Sequence, residues 1–77
     1  MAQFVVETTA EEQQKVMDAI KQVEGEVVPV SKLAKLAGLS QSRTRYVIFD
    51  LIDAGKIQRI PSKAFNKHYI RYSYKIT

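Results

Sequence analysis

Apolar residues recur along this chain in two different periods, and the change of period divides it into helices and then strands. Val16, Met17, Ile20 and Val23 fall at i, i+1, i+4 and i+7, a single stripe on a helix. Thr8 or Thr9 is placed to cap that helix, with Glu11 or Glu12 three residues on to complete a capping box. The acids of the first turn also suit the positive end of the helix dipole, and Gly25 ends the element. EVVPV follows as a short strand with an edge, because Pro29 has no N–H to give to a ladder. SKLAKLAG reads as a second helix, capped by Ser31, burying Leu33, Leu36 and Ala37, and closed by Gly38. Ser40 offers the next cap, and a third helix over 41–54 runs to Gly55. The period then changes. KIQRI and HYIRYSYKI form two strands of a hairpin over 56–76, around the loop PSKAFNK. In the second strand Ile70, Tyr72, Tyr74 and Ile76 alternate with Tyr69, Arg71, Ser73 and Lys75, so one face is buried and one is wet.

Chain length and composition narrow the class. At 77 residues, with 45% apolar side chains, the chain makes one small domain over 1–77 with a packed core. Residues 1–7 are a short strand or a tail lying on the body. Phe4, Val5 and Val6 there are more apolar than a free tail needs, and suit either a dimer contact or packing that extends the core. With no cysteine and His68 as the only histidine, disulfides, thiolate metal sites, the usual zinc sites and most nucleophile–base pairs are excluded. No apolar run reaches the roughly 18–20 residues of a membrane span, and the start lacks a signal-peptide profile. The expectation is a cytoplasmic, non-membrane protein without a cofactor or metal.

Charge adds a direction. Residues 1–30 carry Lys15 and Lys21 against six acids, Glu7, Glu11, Glu12, Asp18, Glu24 and Glu26, a net −4. Residues 31–77 carry ten bases against Asp50 and Asp53, a net +8. A basic C-terminal part is the footprint of a surface facing phosphates, and a lysine-rich solvated surface is the plainer account.

The order helix, short strand, helix, helix, hairpin resembles a winged helix-turn-helix domain of the bacterial regulator type. VVPVSKLAKLAGLSQSRTRYVIFDLIDAGKIQR is similar to that family's strand, supporting helix, turn, recognition helix and first wing strand, and the likeness spans about residues 12–76. The resemblance implies an α+β fold of three helices and a small antiparallel sheet in the order α-β-α-α-β-β. It implies double-stranded DNA as partner, nucleoid association when bound, and a non-enzymatic role in transcription regulation.

On a wheel of about 100° per residue, Thr44, Val47, Ile48 and Leu51 share the buried side of the third helix. Ser42, Tyr46, Phe49 and Asp53 lie opposite, flanked by Arg43, Arg45 and Asp50. In a major groove the readers would be Gln41, Ser42, Arg43, Arg45 and Tyr46, since Gln and Arg pair bidentately with adenine and guanine. Amides at the Ser40 cap add a phosphate site. Arg43 and Arg45 have an alternative as surface charge, paired to Asp50 or to acids of the first helix. Tyr46 and Phe49 depart from the polar pattern of such helices. They fold against the wing, touch thymine methyls or sugars, or form an exposed patch for a protein partner. In the wing, Lys63, Asn66 and Lys67 suit backbone phosphates, with Phe65 either at the tip or tucked under its loop, and Arg59 and Arg71 support the same surface.

The expected function is a small DNA-binding regulator, inserting helix 41–54 in the major groove with a basic wing on the backbone. The alternative from another class is a winged-helix protein–protein module using the aromatic surface, and homodimerisation is compatible with either. A third reading is Z-form DNA or structured RNA, since Phe49 and the aromatic last strand resemble the Z-alpha type. Gln41, Ser42, Tyr46 and the missing Pro-Pro wing motif depart from that type.

Overall fold

Side-chain capping starts the first helix where the sequence places it. In the computed structural model, which describes residues 7–62 and 71–77, α1 spans Ala10–Gln22 with Thr9 as its cap. The Thr9 hydroxyl accepts the Glu12 N–H at 3.1 Å, and the Glu12 carboxylate accepts the Thr9 N–H at 3.0 Å, so the capping box is complete. Phe4, Val5 and Val6 lie outside the described residues, as does 63–70 with Lys63, Phe65, Asn66, Lys67 and His68.

The strand expected at EVVPV does not form. Val27 makes a single bridge to Ser73, and the Val28 N–H reaches the Tyr72 carbonyl at 3.2 Å. Pro29 then stops the ladder and becomes the N-cap of α2, Val30–Ala37, displacing Ser31 from that role. The stripe that α2 buries is Leu33, Ala34 and Ala37. Leu36, expected in the core, falls off this stripe and is 40% exposed.

Gly38 ends α2 at φ +72°, and the Leu39 N–H bonds the Ala34 carbonyl at 3.0 Å, the six-to-one bond of a left-handed helix terminator. Three residues, Gly38 to Ser40, turn the chain. The Ser40 hydroxyl accepts the Arg43 N–H and opens α3, Gln41–Asp53, one residue shorter than the expected 41–54. β1, Ile57–Ser62, and β2, Arg71–Ile76, pair antiparallel with Ile57 opposite Ile76 and Ser62 opposite Arg71. The described residues thus form a small α+β domain of three helices and a two-stranded antiparallel sheet, in the order α-α-α-β-β. That layout is consistent with a winged helix whose first strand is reduced to one bridge.

The core sits where the three helices and the hairpin meet. Val16 and Ile20 of α1, Leu33 of α2, Val47 and Leu51 of α3, Ile57 of β1 and Tyr74 of β2 are all buried. Thr44 is buried among them, its hydroxyl satisfied by donating to the Ser40 carbonyl at 2.8 Å. Among the described residues no helix is long and apolar enough to cross a membrane.

Leu51 is fully enclosed, so Leu51→Ala is expected to cost about 2–5 kcal/mol, read as a lower urea midpoint at unchanged slope. An added Cβ at Gly38 meets no neighbouring atom, so the cost of Gly38→Ala is the left-handed backbone alone, about 1–2 kcal/mol in the same measurement.

Candidate functional site

α3 buries only one side, so its chemistry is on the other. Ser42, Arg45, Tyr46, Phe49 and Asp53 are exposed, as the wheel predicts. Within that exposed side the structure makes a finer division. Gln41, Arg45 and Phe49, each four apart, line a cleft between α3, the start of α2 and the hairpin, and Ser42 and Tyr46 lie outside it. The cleft measures about 460 Å³, with Val28 and Ile48 among its apolar lining and Tyr72 and Tyr74 among its aromatic lining.

Three guanidinium-bearing residues converge there from separate elements, Arg45 from α3, Arg59 from β1 and Arg71 from β2, and among the described residues no carboxylate lines the cleft. Arg59 sits opposite Tyr74 in the hairpin register and on its inner face. Its guanidinium lies over the Tyr72 ring at 4.3 Å and over the Phe49 ring at 5.5 Å. Such contacts hold the side chain in place without neutralising it. Burial raises the Tyr74 hydroxyl pKa above its usual value, and the nearby Arg59 charge opposes part of that rise.

Pro29, Val30 and Ser31 bring the start of α2 to the same cleft, and no side chain caps that helix. Sequence reasoning gave this segment no part in the site. The signal was available: proline as N-cap leaves first-turn amides without a side-chain acceptor.

Arg43 points elsewhere. Its guanidinium forms a two-pronged pair with the Glu12 carboxylate of α1, at 2.6 and 2.8 Å, and also donates to the Glu7 carbonyl. Of the two expectations for this residue, the structure displays the ion pair with an acid of the first helix. Asp50 is also engaged on that side, accepting from the Thr8 hydroxyl at 2.6 Å, while Thr8 accepts from the Gln13 amide at 2.9 Å. Lys15–Glu11 and Arg43–Glu12 are the ion pairs among the described residues. The bases of the cleft therefore have no carboxylate partner among those residues.

Tyr46 and Phe49 are 46% and 47% exposed. Tyr46 remains on the open surface. Phe49 meets the hairpin through Arg59 and keeps half its surface in solvent. Ser40 is engaged in capping. Lys63, Asn66 and Lys67 fall outside the described residues. Among the described residues no group of acids or histidines is arranged to hold a metal ion.

No protein-family model matches this sequence, and comparison with curated proteins gives no match. What the surface can bind is therefore read from its own residues.

The Arg43 guanidinium and the Thr9 amide hold the Glu12 carboxyl down from 4.5 to about 2. A carboxylate lowered in this way adds stability that is complete above its unfolded pKa and is lost as pH falls through the folded one. Thermal melts between about pH 6 and about pH 2 are expected to show that loss setting in below about 4.5. Glu12→Gln is expected to melt lower near neutral pH and to lose less on acidification. Parallel curves for the two proteins would contradict the pairing.

Proposed function

We propose that this chain is a winged helix-turn-helix DNA-binding protein, a small regulator that acts by occupying its site. The observation carrying the reading is the convergence of Arg45, Arg59 and Arg71 on one side of the exposed face of α3, without a carboxylate among the described residues that line the cleft. Gln41, Ser42 and Arg45 are the readers in the N-terminal half of α3, the half that approaches base edges in a major groove. Arg59 and Arg71 neutralise phosphates beside them. Arg43 is assigned to the fold instead, because Glu12 and Glu7 occupy its donors. Asp50 is held by Thr8, and Asp53 lies at the last turn of α3.

A second reading has its own support. The half-exposed rings of Tyr46 and Phe49, with Ile60 and Val27 also exposed, supply apolar surface for a protein partner. The two readings separate on electrostatics, since a DNA complex releases counterions and an apolar protein contact releases few.

Duplex DNA affinity is expected to fall with salt at a log–log slope near −0.9 for each phosphate neutralised, for roughly four to six phosphates per subunit. Arg45→Ala is expected to weaken specific binding by about 1–3 kcal/mol, whereas Arg59→Ala should reduce the salt slope by about one. Fluorescence anisotropy over a salt series measures both. A flat salt response, together with capture of a protein partner lost in Phe49→Ala, would favour the interaction module.

A further inference from the structure

Resting on the reading that this face takes nucleic acid, we infer that the cleft between α3 and the hairpin is a site for a single unpaired nucleotide, its phosphate held by arginines and its base stacked on Phe49. A duplex is a convex cylinder that can meet the arginines at the rim of a concavity of about 460 Å³ but does not fill it. One extruded nucleotide does, and the volume lies within the roughly 300–1,000 Å³ of small-ligand sites.

The two halves of a nucleotide find matching chemistry side by side. Arg45, Arg59 and Arg71 supply charge with no carboxylate among the described lining residues to compete for it. The forked donors of arginine suit phosphate oxygens, and Val30 and Ser31, in the first turn of α2 that no side chain caps, line the same space. Phe49 supplies the stacking surface. Its ring already carries the Arg59 guanidinium at 5.5 Å, and the residue stays 47% exposed. Tyr46, one turn earlier and 46% exposed, offers a second ring to the neighbouring base.

This arrangement also accounts for what α3 lacks as a duplex reader. With Arg43 turned to Glu12, Arg45 is the one arginine on the helix facing away from the core, and two rings stand where polar base-edge readers are expected. Rings make poor contacts to base edges, where the thymine methyl is their main apolar target, and good contacts to base faces.

Single-stranded nucleic acid and free nucleotides carry this chemistry alike. The test compares, at one salt concentration, a short blunt duplex, the same duplex with one unpaired thymidine, oligothymidylate, and thymidine monophosphate as competitor. The unpaired thymidine and oligothymidylate are expected to bind roughly tenfold or more tighter than the blunt duplex. Phe49→Ala should erase that ratio and Phe49→Tyr should keep it, with thermal melts showing that both variants fold. Thymidine monophosphate binding as tightly as oligothymidylate would support the site and make a free nucleotide its ligand. Equal affinity for blunt and unpaired duplexes overturns the inference and leaves duplex binding standing. Nucleotide binding without any duplex binding keeps the site and removes the duplex reading. Displacement of oligothymidylate by polyglutamate as readily as by unlabelled oligothymidylate would show that charge alone is read, and overturns the inference too.

Discussion

One side of α3, formed by Thr44, Val47, Ile48 and Leu51, is the surface on which α1, α2 and β1 close. A chain of 77 residues has little apolar surface to bury, and a third helix without that stripe would have nothing to dock against. Its position fixes the rest. Val16 and Ile20 pack from α1, Leu33 from α2 and Ile57 from β1, while Tyr74 from β2 completes the cluster. Once that side is committed to the core, the residues opposite it must face solvent, and Arg45, Tyr46 and Phe49 are among them.

The ion pair between Arg43 and Glu12 sorts the charges of the molecule. It joins the acidic segment to the basic one and removes one arginine from the exposed face. Thr8 does the same for Asp50, holding a carboxylate on the α1 side by a short hydrogen bond. The two contacts lie on either side of the α1 cap, so residues 7–13 both begin a helix and hold two charged side chains of α3, Arg43 by an ion pair and Asp50 by a hydrogen bond. The arginines around the cleft, among the described charges without an ion-pair partner, are the ones that gather in a concavity.

Features encoded within a few neighbouring residues were legible. A Thr–Glu capping box, the Ser40 cap, glycines at the ends of α2 and α3 and the buried stripe of α3 follow from spacing alone, and each is present. The C-cap of α1, by contrast, is Val23, two residues before the expected Gly25. Features that depend on exact starting points were not. The cap of α2 is Pro29 instead of Ser31, and the same proline reduced a strand to one bridge. Partners distant in sequence were the least legible. Arg43 and Glu12 stand 31 positions apart, and only packing of α1 on α3 chooses between Glu12 and the other acids of the first helix. The stack of Arg59 between rings of α3 and β2 needed the hairpin register, which no local pattern supplies.

The prolines of the sheet region bear on assembly. Tyr72 turns its carbonyl toward Val28, so by the alternation of antiparallel pairs Pro61, its partner across the hairpin, faces the open side of β1. A third strand laid along that side would find no N–H at Pro61, next to the end of β1. On the opposite side of β2, Pro29 ends the approach of Val27 and Val28 after one bridge. Growth of the sheet by main-chain pairing is therefore discouraged in both directions. Contact between two copies of this chain, or between this chain and a partner, is thereby favoured through side chains over main-chain pairing.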